Sequence, residues 1–159
     1  MIKSLMSCLL AATCFFFSCK KSGNSGPAPS SQTAWTISGA TFYGETTLFG
    51  TDTVLLSLES ADSLGNNVDI AFHARPVTNG KYSVVLENAT SSQLGVNQCE
   101  VFALIVNNGN NFYGSSGKSG NVSVTIAYGK ITAVLSNINM ENINDPQDTT
   151  TVSGTLHEQ

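Results

Sequence analysis

The fold is decided by the stretch VSVTIAYGKITAVLS, residues 122–136. Val122, Val124 and Ile126 alternate with polar or small residues, Gly129-Lys130 follows as a turn, and the alternation then resumes. A period of two residues places apolar side chains on one face of a strand, whereas a helix needs a period near 3.6. The stretch therefore predicts a β-hairpin with one buried face.

The same alternation recurs on both sides of this hairpin. It predicts further strands at Trp35–Tyr43, Thr53–Ser60, Val68–Ala74, Tyr82–Leu86, Glu100–Val106 and Thr151–His157, with Phe112-Tyr113 as a short additional one. Turn chemistry separates them, with a bulge expected at Gly39, a tight turn at Asn79-Gly80 and a polar loop over Glu141–Thr150. The sequence predicts an all-β domain, an antiparallel β-sandwich of about 8–9 strands, with a small β-barrel as the alternative.

The first 33 residues have a different composition. Lys3 precedes an apolar run of 13 residues, Leu5 to Phe17, which is too short to span a bilayer as a helix and suits the core of an export signal. Ser18-Cys19 follows, and residues 20–33 are rich in Ser, Gly and Pro. That composition predicts a flexible linker with a reach of about 20 Å.

The end of the apolar run resembles the lipobox of bacterial lipoproteins. The resemblance implies that the leader is cut before Cys19, which then carries the lipid. Phe16 and Phe17 depart from the leucine and the smaller residue usual there, and Cys14 is a competing site. The implied organisation is a signal peptide over 1–18, a lipidated cysteine and linker over 19–33, and a β-sandwich domain over 34–159.

The rest of the chain resembles small envelope lipoproteins of Bacteroidota. The resemblance rests on the Cys-Lys-Lys leader, Tyr113-Gly114, the strand Val122–Ile126, Lys130-Ile131 and Val152–Leu156. It implies one β-sandwich domain of unknown function and gives no catalytic residues to carry over. In such proteins an acidic cluster after the cysteine accompanies surface display, so the lysines found here favour an outer-membrane anchor facing the periplasm.

Charge and cysteine content exclude several functions. From Gln32 onward, eleven acidic residues against four basic ones give a net charge of −7. Nucleic-acid binding needs a positive footprint, so a nucleic-acid partner is not expected. Once the leader is removed and Cys19 is lipidated, only Cys99 remains, which precludes an intrachain disulfide and predicts a packed small hydrophobe.

No catalytic or cofactor-binding motif is found. Gly114–Ser119 resembles a phosphate-binding loop, but position 112 is Phe where that loop has glycine, and a strand rather than a helix is expected to follow. His73 and His157 lack metal-ligand spacing. We therefore expect neither enzymatic activity nor a cofactor.

Two weaker candidate sites come from residue clustering. Asn144, Asp145 and Asp148 supply the hard oxygen ligands that calcium prefers, although a turn-rich loop around Asp145-Pro146 is the better explanation. Trp35, Tyr43 and Tyr113 could stack on sugar rings if they share a surface, but core packing is the simpler interpretation.

Three Asp-Ser/Thr pairs resemble the O-glycosylation acceptor sequence of Bacteroidota. The pairs are Asp52-Thr53, Asp62-Ser63 and Asp148-Thr149, which makes Thr53, Ser63 and Thr149 candidate modification sites.

The sequence thus predicts a monomeric, non-enzymatic binding or structural module, held to a membrane by its N-terminal lipid. A glycan or an envelope protein is the expected partner. Alternatives are a glycan-binding surface lipoprotein and an adhesin-type subunit that receives a donor strand.

Overall fold

A computed structural model describes residues 33–50, 56–87, 94–106, 109–118 and 120–159. These ranges contain ten β-strands and no helix. The strands are β1 (Thr33–Ile37), β2 (Ala40–Phe49), β3 (Leu56–Ala61), β4 (Asn67–Phe72), β5 (Gly80–Val84), β6 (Gln98–Val106), β7 (Asn110–Ser115), β8 (Asn121–Ala127), β9 (Lys130–Asn142) and β10 (Asp145–His157). The all-β class predicted from the alternation is confirmed, with more strands than expected.

The strands form one sheet whose pairings close into a ring. Starting from β10, the order is β1, β2, β3, β4, β6, β5, β8 and β9, and β9 pairs back with β10. These pairings are antiparallel except that of β5 with β6, which is parallel. The expected turn at Asn79-Gly80 does not make a hairpin, because β5 pairs with β8 rather than with β4.

The predicted hairpin over residues 122–136 is confirmed as β8 and β9. Tyr128 and Gly129 form its turn with φ angles of 53° and 77°. Two consecutive positive φ angles match the right-handed twist of a two-residue hairpin. Ser38 and Gly39 have φ angles of 51° and 78°, so the bulge expected at Gly39 is instead a tight turn between β1 and β2.

The polar loop expected over Glu141–Thr150 is a second correction. β9 runs on to Asn142, β10 begins at Asp145, and only two residues turn the chain between them. The Asn144 amide donates to the Asn142 side-chain oxygen at 2.9 Å, a local bond that fixes this turn. Polar residues form long strands here because Thr149, Thr150 and the residues after them pair with β9 on the exposed surface.

The core lies inside the ring and is built from the inward-facing residues of the alternating strands. Trp35 is 1% exposed and stacks on Phe42 with ring centroids 4.4 Å apart. Phe72 meets the edge of Tyr82 at 5.0 Å. On β6, Cys99, Val101, Ala103 and Ile105 face inward and are buried.

The gap between β6 and β9 is filled in two different ways along its length. In one half, β6 pairs with β5 and β9 pairs with β8. In the other half, β7 alone pairs with both β6 and β9. We call the place where the two arrangements meet the fork.

Ser115 completes the hydrogen bonding at the fork. Its hydroxyl donates to the Val85 carbonyl at 2.7 Å and accepts from the Val101 amide at 3.1 Å. The Ser115 side chain is buried. Without its hydroxyl, the Val101 amide would lose this acceptor and the Val85 carbonyl would lose this donor, and buried backbone groups are nearly always hydrogen-bonded.

The antiparallel order sorts the connections into two ends of the ring. One end, here called the proximal end, carries the start of β1 at Thr33, residues 73–79, the turn 128–129 and residues 158–159. The other, the distal end, carries the turn 38–39, residues 62–66, Gly109 and the turn 143–144.

Glu158 ties the proximal end together. Its carboxylate accepts from Arg75 Nη2 at 3.0 Å and from the Ile131 amide at 2.7 Å. Arg75 Nη2 also donates to the Gly129 carbonyl at 2.7 Å, and the Ile126 amide donates to Asn79 Oδ1 at 2.7 Å. These bonds attach residues 73–79 and the C-terminal residues to the β8–β9 hairpin.

Candidate functional site

The candidate site is a furrow on the outside of the ring, beside the fork. It consists of two adjoining concavities of about 420 and 250 Å³ that share Glu141. The first is lined by Ser116, Lys118, Asn139, Met140, Glu141 and Thr149–Thr151, and the second by Leu86, Glu87, Gly114, Ser115, Glu141, Asn142, Ile143 and Pro146. Hydroxyl, amide and carboxylate groups therefore dominate the first half, and apolar side chains enter the second.

A lysine and a carboxylate face each other across the first half of the furrow. Lys118 Nζ lies 2.5 Å from Glu141 Oε1, and Asn139 Nδ2 donates to the Lys118 carbonyl at 2.8 Å. The lysine side chain is largely exposed, and an ion pair of this kind adds little stability because water screens it. A polar ligand could therefore exchange for this pair at small cost.

A part-buried hydrogen-bond network adjoins the furrow. Tyr113 Oη and Asn142 Nδ2 both donate to Asp148 Oδ2 at 2.9 Å. Desolvation, reinforced by Asp148, raises the pKa of Tyr113 above its ordinary value. The hydroxyl thus stays protonated as a donor and holds β7 to β10, while the adjoining Thr149–Thr151 line the surface.

A third, smaller concavity of about 190 Å³ lies on the outer face of β4 and β6. It is lined by Asp69, Ala71, Glu87, Glu100 and Phe102. Burial, opposed by a 3.1 Å hydrogen bond from Ser57, raises the pKa of Asp69 to about 6. This carboxyl therefore changes charge just below neutral pH.

Trp35, Tyr43 and Tyr113 do not share a surface. Trp35 is part of the core, and Tyr113 is only 7% exposed beneath Asp148. Tyr43 alone is open to solvent. The alternation that predicted these strands also placed Trp35 on the inner face, so two of the three rings have no free face for a sugar.

The calcium candidates do not converge either. Asp145 Oδ1 accepts the Gln147 amide, and Asp148 Oδ2 is occupied by Tyr113 and Asn142. Asn144 stands in the β9–β10 turn rather than in a loop that could wrap an ion. Across the described ranges, no group of three His, Cys, Asp or Glu residues is placed to hold a metal.

The O-glycosylation candidates stay predictions. Thr53 lies outside the described residues. Ser63 is exposed in a loop that Asp62 fixes by accepting the Leu64 and Asn66 amides at 2.8 and 2.9 Å. Thr149 is exposed on β10 at the rim of the furrow. Intact-mass measurement of native protein tests them, since the absence of hexose increments would remove all three.

Cys99 is a buried hydrophobe, as the sequence predicted. Its side chain is fully buried, and burial raises the pKa of the thiol to about 12. Strand β8, and not a helix, follows the segment that resembles a phosphate-binding loop, as expected, and Lys118 pairs with Glu141.

Sequence reasoning did not find the furrow. Its lining residues come from segments between positions 86 and 151, and their convergence depends on β7 pairing with β9. To predict the furrow, its five acidic, amide and lysine side chains would have had to be connected through a strand pairing that no local pattern specifies; they are Glu87, Lys118, Asn139, Glu141 and Asn142.

The molecule is thus an all-β protein with a polar surface furrow. Comparison of the chain with protein-family models, with curated proteins and with solved structures found no match. Among the described residues, no helix has the length and apolarity needed to cross a bilayer.

Proposed function

We propose that this chain is a cell-envelope lipoprotein, anchored at the outer membrane through Cys19 and facing the periplasm. Its β domain serves as a non-enzymatic binding or structural module. The observation that carries the proposal is the order of elements in the sequence: a short apolar leader, Ser18-Cys19, a polar linker and one domain.

Two features of the domain are consistent with this role. The linker reaches the domain at Thr33, where β1 begins at the proximal end. Cys99, the other cysteine of the proposed mature chain, has a fully buried thiol.

Metabolic labelling with palmitate tests the anchor. Wild-type protein and Cys14→Ala are expected to take up label, whereas Cys19→Ala is expected to lose it and to remain uncleaved. Label retained by Cys19→Ala would refute the anchor. Protease treatment of intact cells then separates a periplasmic domain, which is protected, from a surface domain, which is cut.

Capture of a polyhydroxylated ligand in the furrow is the second candidate function. The observation in its favour is the lining of the larger concavity, where Asn139, Glu141 and three threonines present hydrogen-bonding groups outward. Glycan-array binding should fall at least tenfold in Asn139→Ala, while Tyr43→Ala, which changes the exposed ring outside the furrow, should bind as wild type. Equal binding by wild type and Asn139→Ala would exclude the furrow.

The adhesin-type alternative receives no support from the pairing. A donor-strand acceptor needs a vacant strand position in its sheet. The described strands instead close their ring through β9 and β10. A concentration-independent monomer in analytical ultracentrifugation would agree with this finding.

A further inference from the structure

Exposed apolar side chains stand at the proximal end. Tyr128 is fully exposed at the tip of the β8–β9 hairpin, and Val77 is 78% exposed in the neighbouring connection. Tyrosine combines an apolar ring with a polar hydroxyl, which suits the boundary between a bilayer and water. The distal end also exposes an apolar residue, Leu64 at 73%, so apolar exposure alone does not distinguish the two ends.

Charge does distinguish them. At the proximal end, Lys81 and Lys130 are exposed, and the acid described there, Glu158, is bonded to Arg75. The described distal end instead carries Asp62 and Asp145 and has no lysine or arginine. The domain as a whole is acidic, yet three of its four basic residues lie at one end. Of the two ends as described, the proximal end is the one whose charge suits an anionic surface.

The hairpin tip is held in place rather than left loose. Arg75 binds the Gly129 carbonyl directly after Tyr128, and Glu158 binds both Arg75 and the Ile131 amide. A side chain presented on a fixed turn loses little conformational freedom when it binds.

The length and attachment of the preceding chain bring this end to a membrane. The Ser-, Gly- and Pro-rich composition of residues 20–33 predicts a reach of about 20 Å, and β1, which follows, begins at the proximal end. A tether of this length gives an effective concentration on the order of millimolar at the surface, so even a weak contact is occupied.

We propose that the proximal end docks on an anionic bilayer surface, with Tyr128 and Val77 entering the headgroup region and Lys81 and Lys130 contacting lipid phosphates. The proposal rests on the lipid anchor proposed above. It assigns the domain a fixed orientation, with the furrow facing sideways and the distal end pointing away from the membrane.

Site-specific fluorescence quenching tests the orientation. Full-length precursor is expressed, and the mature lipidated chain is reconstituted into phosphatidylcholine vesicles with 30% phosphatidylglycerol as the probe surface. Val77→Cys and Leu64→Cys, which replace side chains of matched exposure, are each labelled with bimane; buried Cys99 does not react. Headgroup-nitroxide lipid is expected to quench the label at position 77 at least threefold more than the label at position 64. Equal quenching at both positions of vesicle-bound protein would overturn the docking.

Two further variants identify the cause of any difference. In the Val77→Cys background, Lys130→Glu should abolish the excess quenching, as should vesicles without anionic lipid. Lys118→Glu, the same charge reversal away from the proximal end, should retain it. If the excess quenching persists in Lys130→Glu and on neutral vesicles, the electrostatic docking is refuted. A protein partner or a purely steric effect of the tether would give that result.

The mass of the reconstituted protein separates the two proposals. Acylated, vesicle-bound protein without excess quenching at position 77 refutes the docking and leaves the anchor standing. Unacylated protein, whose Cys19 then takes up bimane, refutes the anchor. In that case Cys19 is blocked before labelling. If the unacylated protein still binds vesicles and its label at position 77 is quenched, the docking holds without the anchor. If it does not bind, both the docking and the anchor are refuted.

Discussion

Replacing Ser115 with alanine should destabilise the domain far more than the loss of one oxygen atom suggests. The Ser115 hydroxyl bonds both the Val101 amide and the Val85 carbonyl at the fork, where β7 takes over from β5. Alanine leaves the buried Val101 N–H without this acceptor, and the part-buried Val85 carbonyl loses its donor. An unsatisfied buried backbone group costs about 1–3 kcal/mol, so Ser115→Ala should lower the free energy of unfolding by about 2–3 kcal/mol.

Urea denaturation of the protein measures this loss, with Ser136→Ala as the control because Ser136 is exposed on β9. The control should change stability by less than about 0.5 kcal/mol, while Ser115→Ala should lower the melting temperature by roughly 10 °C. The dependence of unfolding on urea should not change, because the same surface is exposed. If the two variants proved equally stable, water or a shift of β5 would be satisfying Val101, and the account of the fork would be wrong.

Three further predictions concern single residues. The pKa of Asp69 is 3.8 in the unfolded chain and about 6 in the folded one, so folding favours the protonated carboxyl. In paired denaturation series, the stability of wild type relative to Asp69→Asn should therefore fall by up to ~3 kcal/mol as pH rises from about 4 to about 6. A pH-independent difference in stability would contradict this. Cys99, whose pKa is about 12, should not react with a thiol reagent at pH 8 until denaturant is added, and immediate reaction in native protein would show that the site is open. Glu158→Ala should lower the free energy of unfolding by about 1–3 kcal/mol, because Arg75 and the Ile131 amide lose their acceptor. Lys130→Ala, at the exposed start of β9, should lower it little in the same urea denaturation. Equal losses of stability in the two variants would rule out a special role for Glu158.

The sequence predicted those parts of the fold that depend on local alternation. The β8–β9 hairpin followed from its period of two and its glycine turn, and the inward position of Cys99 followed from its apolar run. β10 was expected only from Thr151, because Asp145–Thr150 is polar and carries turn-forming residues. Its pairing with the end of β9 is a tertiary effect that overrides those propensities.

The pairing of distant strands could not be predicted from local pattern. Asn79-Gly80 has the composition of a hairpin turn, yet Asn79 instead caps the Ile126 amide from another part of the chain. The furrow has the same origin, since Lys118 and Glu141 meet only because β7 pairs with β9. The burial of Tyr113 likewise depends on a distant partner, because its hydroxyl on β7 donates to Asp148 on β10.

The closure of the ring through β1 and β10 has a consequence for biosynthesis. Ala34 pairs with Thr155, so almost the whole domain separates the two partners along the chain. Until β10 has emerged, both β1 and β9 present unpaired edges, which are templates for misassociation with other chains. Folding of this domain is therefore completed only after β10 has been synthesised, and a nascent chain truncated before Val152 has no closed state to reach.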